Sequence, residues 1–308
     1  MNFDRLSASS TATASNLDFL DSQIALLLKR RRCELVELAK IIAEKIKESV
    51  SQGLSVFDSL CLVDDFQELD GEQPIGSNDT DSDSLNFDRA EFSSVLCSEL
   101  SEIGVDITES DFLTEFDVGQ RFTYVKNILS DEAFDVFSQE FDDPRVRYSN
   151  SFKDCCAALV NGDADFCLLP LEEKDGARLG TTSDMIYRYD FKINAVTPVF
   201  GMDNTEDLKF ALISKSFRAY EPCADDDRYL ELRLLKDNDS LLRLSYVIKH
   251  FKMSLYRADT LSFDNEGGSS TYYSVVVRDN GMSFAPLLLY TTLFENDCVA
   301  IGLYKNLE

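Results

Sequence analysis

Residues 229–308 alternate between strand and helix patterns in an order that restricts the folds open to this chain. Leu230–Leu235 has the composition of a strand, and Ser240–Phe251, which follows Asp239 as a helix cap, has helical spacing. The next segments predict a strand, a second strand after a turn, a helix and a further strand, at Ser254–Phe263, Thr271–Val277, Phe284–Leu293 and Cys298–Tyr304. The predicted order is therefore βαββαβ.

The preceding residues divide into a helical part and a mixed part. Residues 1–16 are rich in Ser, Thr and Ala, which predicts a disordered segment. Residues 17–105 have helical spacing that is broken by an acidic, turn-rich loop at 64–86. We therefore predict an α+β multidomain protein with an all-α domain at 17–105, a central α/β lobe at 112–216 and the βαββαβ domain at 227–308.

Apolar spacing within two of these parts predicts individual helices. On the first long helix, apolar residues recur at steps of three, four or multiples of seven, and predict one apolar seam: Leu17, Leu20, Ile24, Leu27, Leu38 and Ile41. In the central lobe, Phe122–Phe141 is predicted to form a helix.

The chain is strongly acidic, with a formal net charge of -26 and a pI near 4.3. This charge argues against nucleic acid or an anionic membrane surface as a partner, because both require a positive field. No stretch approaches the roughly 18 apolar residues of a membrane span. Residues 1–16 also lack the apolar segment of a secretory signal, so we expect a cytoplasmic location.

The eight cysteines are scattered without a Cys-x-x-Cys pair, and His250 is the single histidine. This pattern predicts reduced thiols and no metal site. It also leaves His250 as the one candidate base for a Ser-His-Asp or Cys-His mechanism. The sequence has no P-loop and no Gly-x-Gly-x-x-Gly motif, so no cofactor is predicted.

Three sequence blocks carry a family resemblance. Leu17–Arg31 begins Leu-Asp-Phe-Leu-Asp-Ser-Gln-Ile and is followed by Gly53–Asp58, while Phe152–Glu172 ends in Pro170-Leu171-Glu172. Residues 229–308 form the third block and end in Ile-Gly-Leu-Tyr before the final residues. In this order the blocks resemble the helical chorismate mutase domain, the dehydratase segment ending in Pro-Ile-Glu-Asn, and the ferredoxin-like ACT domain of the bifunctional chorismate mutase/prephenate dehydratase family.

The resemblance implies that Arg31, Lys45 and Asp58 are the remnant of a mutase site. Such a site holds a dianionic substrate with buried cations, and Arg31 falls on the apolar seam, seven residues from both Ile24 and Leu38. A buried cation there needs an anionic partner. The basic run Lys29-Arg30-Arg31-Arg32 would, however, place an arginine on any face of the helix. Other charged positions of the family are apolar here, Ile42 and Leu62 among them.

In the dehydratase-like lobe, the resemblance implies that Thr123, Pro170, Glu172 and Gly176 are remnant substrate-binding residues. The sequence departs from the family at Glu173, where the family has Asn. Most of the family's second lobe is also missing, and a cleft between two lobes needs both.

In the ACT-like domain, the implied effector-binding residues are Asp239, Ser240, Leu241, Asp259 and Thr260. The family's Gly-Ala-Leu is Asp-Ser-Leu here, and its Glu-Ser-Arg-Pro is Asp-Thr-Leu-Ser. The added bulk and negative charge argue against phenylalanine binding. Two alternatives stay open for this domain: it binds another small ligand, or it serves in dimerisation alone.

These features predict a relative of the family that converts chorismate to prephenate and on to phenylpyruvate in phenylalanine biosynthesis. This relative would have lost the dehydratase activity and most mutase residues, and would act as a pseudoenzyme or regulatory protein. One alternative is a residual chorismate mutase with amino-acid regulation through the ACT domain, and another is a small-ligand sensor. The expected partners are a second copy of the chain, joined through the helical and ACT domains, and a small molecule such as chorismate, prephenate or an amino acid. Neither nucleic acid nor a membrane is expected.

Overall fold

A computed structural model of the protein describes the residues 3–63, 80–114, 119–200, 207–218, 227–236, 239–265, 268–295 and 297–307. The chain divides into two compact units. One consists of Met1–Glu72 with Glu91–Asp106, and the other of Gln73–Ala90 with Ile107–Glu308. Among the described residues, none of the helices combines the length and the apolar character needed to cross a lipid bilayer.

The first unit is helical. Helix α1 (Phe3–Ser51) and helix α2 (Val56–Cys61) belong to it, together with the part of helix α3 (Thr80–Glu102) that follows Ala90. Ser55 caps α2, since its Oγ accepts the backbone N–H of Asp58 at 3.0 Å. This cap and the apolar spacing of α1 account for the helical character of this unit.

Two helices of this unit are longer than the sequence pattern predicts. Helix α1 begins at Phe3 and includes the residues up to 16, because no Gly or Pro interrupts that Ser- and Ala-rich stretch. Helix α3 begins at Thr80, so residues 80–86 of the predicted acidic loop are helical. The rest of that loop, 64–79, lies outside the described residues.

Helix α1 buries a different face from the predicted one. Its buried stripe consists of Leu35, Ala39, Ile42, Ala43 and Ile46. At about 100° per residue this stripe is centred roughly 90° around the helix from the predicted apolar seam. Four residues of the seam are more than half exposed in the single chain, and we call them the α1 stripe: Leu20, Ile24, Leu27 and Ile41.

In its described residues the second unit is a mixed α/β structure built on nine strands. Its elements after α3, in chain order, are β1 (Arg121–Val125), α4 (Ile128–Ser138), β2 (Arg145–Ser149), α5 (Phe152–Asn161), β3 (Phe166–Glu172), α6 (Gly180–Tyr189), β4 (Lys192–Phe200), β5 (Asp207–Ser214), β6 (Arg228–Leu235), α7 (Ser240–His250), β7 (Ser254–Asn265), β8 (Gly268–Arg278), α8 (Ala285–Phe294) and β9 (Cys298–Asn306).

The nine strands form one continuous sheet in the order β2-β1-β3-β5-β4-β9-β6-β8-β7. Strands β1, β2 and β3 run parallel, whereas β5 pairs antiparallel with both β3 and β4. The elements from β6 to β9 follow in the predicted order βαββαβ, and their four strands pair antiparallel. The predicted central lobe and C-terminal part therefore share a sheet, a link that the sequence pattern did not reveal.

The link is the parallel pairing of β9 with β4. Ile193 of β4 lies opposite Gly302 of β9. A Cβ atom on Gly302 would come within 3.1 Å of both the Ile193 Cβ and the Tyr304 ring, which is closer than most real contacts. Glycine at 302 thus lets the two halves of the sheet approach each other.

Helices cover both faces of the sheet. Alternation along β3 sends Cys167, Leu169 and Leu171 into a core with α5 and α6. The intervening Phe166 and Leu168 pack with α4 on the opposite face. The core under α7 and α8 is filled by apolar residues of β6, β8 and β9.

The predicted helix at Phe122–Phe141 is wrong in its first part. The stretch begins with strand β1, and α4 starts only at Ile128, after Asn127 caps it through the Ser130 backbone N–H at 2.9 Å. The short run Arg-Phe-Thr-Tyr-Val is rich in β-formers and is buried on both sides, so its apolar spacing does not distinguish a strand from a helix.

Arg121 and Asp165 join the starts of β1 and β3 by a two-pronged ion pair. Arg121 Nη2 lies 2.6 Å from Asp165 Oδ1, and Arg121 Nε lies 3.0 Å from Asp165 Oδ2. The backbone N–H of Arg121 donates to Oδ2 as well, at 2.9 Å. Burial alone would raise the pKa of Asp165, but the hydrogen bonds from Arg121 hold that pKa below its usual value.

This ion pair predicts an acid-dependent loss of stability. A carboxyl with a lowered pKa in the folded state stabilises the fold fully above its ordinary pKa of about 3.9, and less as the pH falls through the folded-state value. We expect Asp165→Asn to unfold at lower urea concentration than the wild type at pH 7, and the difference to shrink below about pH 4. A difference that stays constant down to pH 2 would contradict an ionic role for Asp165.

Candidate functional site at the junction of the sheet

The predicted mutase residues lie on the surface of the first unit. Arg31 and Lys45 are exposed on α1, and the 14 positions between them correspond to about 21 Å along the helix axis. Asp58 is exposed as well, and its Oδ2 accepts the Ser55 hydroxyl at 2.7 Å within the cap of α2. Within one chain these three side chains do not converge on a common pocket.

Three residues that were predicted to bind substrate in the dehydratase-like lobe have roles in the fold of the second unit. Thr123 is fully buried in β1, and its Oγ1 lies 2.8 Å from Ser149 Oγ of the neighbouring strand. The carbonyl of Pro170 accepts the Thr182 hydroxyl at 2.6 Å, which ties β3 to α6. Gly176 has a φ of +82°, the left-handed conformation that its turn after β3 requires.

Thr123 and Glu172 are far apart. Thr123 lies opposite Cys167 in the β1–β3 register, and Glu172 is five residues further along β3. At about 3.3 Å per residue the two positions are roughly 16 Å from each other. One small substrate therefore does not contact both side chains in this conformation.

Glu172 belongs instead to a network of buried and half-buried charges where the central strands meet the C-terminal ones. We call this network the junction cluster. It consists of Glu172, Arg178, Lys209, Glu231, Arg257 and Asp259.

Three cations surround the Glu172 carboxylate. Arg257 Nη1 and Arg178 Nε lie 2.9 Å and 3.4 Å from Oε1, and Lys209 Nζ lies 3.2 Å from Oε2. The Glu172 side chain is only 7% exposed. A buried carboxylate with this many cationic neighbours is held in place, so Glu172 ties β3 to its neighbours in the sheet.

Glu231 of β6 completes the cluster on the C-terminal side. Arg178 Nη2 lies 2.5 Å from Glu231 Oε2, and both side chains are less than 5% exposed. Ser274 donates to Glu231 Oε1 at 2.6 Å, and the Tyr304 hydroxyl donates to Oε2 at 3.3 Å. Arg178 therefore joins the turn after β3 to strand β6 through the protein interior.

Burial and charge act in opposite directions on Arg178. Desolvation lowers its pKa, but the charges of Glu231 and Glu172 more than offset this and raise the pKa above its usual value. Burial, reinforced by Glu231, raises the pKa of Tyr304 well above its usual value. At neutral pH Arg178 is thus a permanent cation and Tyr304 a neutral hydrogen-bond donor.

The predicted effector residues are divided between α7 and β7. Asp239 is exposed at the start of α7, Ser240 is buried with its Oγ 3.2 Å from the Leu235 carbonyl, and Leu241 packs partly against the core. Thr260 is exposed on β7. Asp259 lies 2.5 Å from Arg257, measured from Oδ2 to Nε.

Arg257 is the residue that brings two predicted sites together. It contacts Glu172, which was predicted for substrate binding, and Asp259, which was predicted for effector binding. No role was predicted from the sequence for Arg257, Arg178, Lys209 or Glu231. One signal was present, because Glu231 alternates with leucines in Leu-Glu-Leu-Arg-Leu and so marks a charged group in a strand that is otherwise apolar.

A small aromatic pocket adjoins the junction cluster. Tyr187 of α6 stacks on Phe263 at 4.2 Å between ring centroids, and its hydroxyl donates to Tyr272 Oη at 2.6 Å. The Arg233 guanidinium lies 4.5 Å from the Tyr187 ring centroid. The space left for a water-sized molecule is about 20 Å³, which holds roughly one water. The pocket is therefore closed to a ligand the size of an amino acid in this conformation.

Among the described residues, His, Cys, Asp and Glu side chains form no group of three or more that could hold a metal ion. The cations and carboxylates of the junction cluster form ion pairs with one another. What this arrangement does chemically is to fix the two parts of the sheet against each other.

No protein-family model matches the sequence, and no curated protein matches it significantly. Among solved structures, the chain is similar to a prephenate dehydratase from Streptococcus mutans, with 11% identity, a TM-score of 0.47, and coverage of 62% of this chain and 100% of that one. A prephenate dehydratase from Arthrobacter aurescens in complex with L-Phe has 11% identity and a TM-score of 0.45, over 60% and 89% of the two chains. A structure described as a novel type of quorum quenching acylase has 12% identity and a TM-score of 0.45, over 60% and 95%. No role for any residue follows from likenesses at this level.

Proposed function

We propose that this protein is a non-catalytic relative of the bifunctional chorismate mutase/prephenate dehydratase family that acts in regulation of aromatic amino-acid metabolism. The proposal rests on the order of the three sequence blocks and on one structural observation. That observation is the burial of the Glu172 carboxylate among Arg178, Lys209 and Arg257, which makes this side chain part of the contacts that hold the sheet together.

The other predicted substrate residues support the same conclusion. Thr123 is buried without exposure to solvent, and Pro170 holds α6 through its carbonyl. A threonine side chain that is fully buried in β1 does not contact a substrate in this conformation.

A regulatory protein of this kind acts through association, and we propose a homodimer. The α1 stripe exposes Leu20, Ile24, Leu27 and Ile41 by more than half. Covering these side chains with the same stripe of a second chain would bury apolar surface across a two-fold axis. Arg31 and Lys45 lie on the same side of α1, so an active mutase site would also require the second chain.

Two assays on the purified full-length chain test the lack of catalysis. We expect neither chorismate nor prephenate to be consumed faster than in buffer, as followed by ultraviolet absorbance. Chorismate turnover that Arg31→Ala abolishes would instead establish the residual mutase, and prephenate turnover would show that the buried Glu172 and Thr123 do not exclude dehydration. A thermal melt with aromatic amino acids then separates a ligand sensor, whose midpoint rises, from a scaffold, whose midpoint does not change.

A further inference from the structure

Donors from three residues converge on one carboxylate just before helix α8. Arg228 Nη1 donates to Glu109 Oε2 at 2.7 Å, and Arg228 Nη2 donates to Glu109 Oε1 at 2.9 Å. The backbone N–H of Phe284 donates to the same Oε1 at 2.9 Å, and the Ser283 hydroxyl lies 3.4 Å from it. A guanidinium fork with added N–H and O–H donors is the arrangement that binds a carboxylate strongly. We call the three donor residues, Arg228, Ser283 and Phe284, the α8 carboxylate site.

The fork of Arg228 is held in direction by contacts that do not involve Glu109. Arg228 Nε donates to Asp279 Oδ2 at 3.0 Å, and the guanidinium carbon lies 5.4 Å from the centroid of the Phe284 ring. The side chains of Arg228 and Asp279 are at most 8% exposed. The two Nη groups would therefore point at the same position without the Glu109 carboxylate, so the site is preorganised for an anion.

The charge of Arg228 persists at neutral pH. Burial lowers its pKa, but the hydrogen bonds and charges of Glu109 and Asp279 more than offset this and raise the pKa above its usual value. Without Glu109, Asp279 would still hold Nε, while both Nη groups would lose their acceptor. Buried donors without an acceptor are unfavourable, and a free carboxylate of suitable size would satisfy them.

Glu109 reaches the site from the connection between α3 and β1, where it begins the short 3-10 turn Glu109–Asp111. Its side chain is 15% exposed, and Ser283 is exposed, so the site is open to solvent on that side. The same connection is also anchored by Leu113, which is 3% exposed in the core under α7 and α8. Glu109 is thus one of several anchors, and a variant without its carboxylate is expected to fold.

We propose that the α8 carboxylate site binds a small carboxylate and that Glu109 is its internal ligand. An external carboxylate competes with the Glu109 side chain for Arg228, and its binding releases the turn Glu109–Asp111 from α8. The site shares no residue with the effector positions predicted at Asp239–Leu241 and at Asp259 and Thr260. It requires neither catalysis nor the dimer that we propose above.

Rescue of full-length Glu109→Ala by acetate tests this inference, because the substitution removes a group equivalent to acetate. The variant should melt about 5 °C below the wild type in buffer. Sodium acetate at about 100 mM should raise its midpoint by about 2 °C or more beyond any change in the wild type, whose site Glu109 already fills. Acetamide, which has the shape of acetate without its charge, and sodium chloride at the same ionic strength should not. The Phe284 amide resonance should shift during the acetate titration, since this N–H donates to the bound carboxylate.

Two further variants test whether the rescue depends on the buried fork of Arg228. Adding Arg228→Lys to Glu109→Ala keeps a cation beside Asp279 but removes the fork, so acetate should raise the midpoint much less. Asp165→Ala also removes a carboxylate that binds an arginine and a backbone N–H, and Asp165 is 14% exposed. Its partner Arg121 is 51% exposed and stays hydrated, so acetate should not rescue this variant.

Other results would overturn the proposal. Equal midpoints of Glu109→Ala in acetate and in chloride would show that the site does not accept a free carboxylate. Equal gains in Glu109→Ala, Asp165→Ala and the wild type would assign the effect to acetate acting on the protein in general. If Glu109→Ala does not fold in buffer, its refolding from urea in acetate or in acetamide gives the same comparison. Failure of acetate to restore the circular dichroism signal would then contradict the proposal.

Discussion

Replacing Arg178 with methionine is expected to lower the free energy of unfolding of the second unit by about 3–5 kcal/mol. The substitution removes one member of a buried ion pair and leaves the Glu231 carboxylate with the hydroxyls of Ser274 and Tyr304 as neighbours. A carboxylate that is 3% exposed then lacks its cation, and the cost of its burial is no longer offset. Urea unfolding followed by far-ultraviolet circular dichroism measures the change.

Two further variants test whether the loss of stability is specific to Arg178 or follows from the removal of any arginine. Arg145→Met removes a cation that lies 2.8 Å from Asp143 at the surface, where both side chains are at least 70% exposed, and should leave the unfolding midpoint unchanged. Adding Glu231→Gln to Arg178→Met should restore part of the stability, because the orphaned charge is gone. If Arg178→Met unfolds no more readily than Arg145→Met, the junction cluster does not hold the sheet together.

The second large effect concerns the association of two copies of the chain into a dimer. We expect the wild-type chain to sediment as a dimer, and Leu20→Lys with Leu27→Lys to sediment as a monomer at micromolar concentration. Burying one leucine contributes about 1.5–3 kcal/mol, and a two-fold axis repeats each contact. Four lysines in place of four buried leucines should therefore raise the dissociation constant at least a hundredfold, by roughly 3 kcal/mol or more.

Helix α1 offers a matched control for this experiment. Phe19 and Leu26 each precede one of the two leucines by one residue and are exposed to a similar extent, 62% and 61% against 53% and 63%. A shift of one residue turns a side chain by about 100°, away from the α1 stripe. Phe19→Lys with Leu26→Lys should thus remain dimeric. A dimer that survives the substitutions at Leu20 and Leu27 would locate the interface outside this stripe.

The sequence predicts elements well where the pattern repeats over several residues. The strands and helices from Leu230 to Tyr304 follow the expected order because polar or turn-forming residues separate the apolar segments, as at Asp239 before α7. The start of the central lobe was harder to predict. Five residues from Arg121 to Val125 are too few for a period to be recognised, and their aromatic residues fit a strand or a helix equally.

The candidate site could be predicted only in part. Glu172 and Asp259 were found through a family resemblance, but their surroundings depend on the register between β3, β5 and β7. A single sequence does not contain that register, so Arg257 could not be paired with either residue. The face of α1 that is buried was misjudged for a related reason. Spacing alone locates an apolar stripe, but it does not say whether the chain itself or another surface covers it.

The position of β9 has a consequence for biosynthesis. This strand follows all the others in the sequence, yet it lies between β4 and β6 in the middle of the sheet. While the chain leaves the ribosome, β4 and β6 each keep one edge unpaired until residues 298–306 have emerged. The sheet therefore closes after synthesis of the preceding strands, through contacts of long sequence separation, which form slowly. During that interval the two open edges are the places where a chaperone would bind, or where two nascent chains would aggregate.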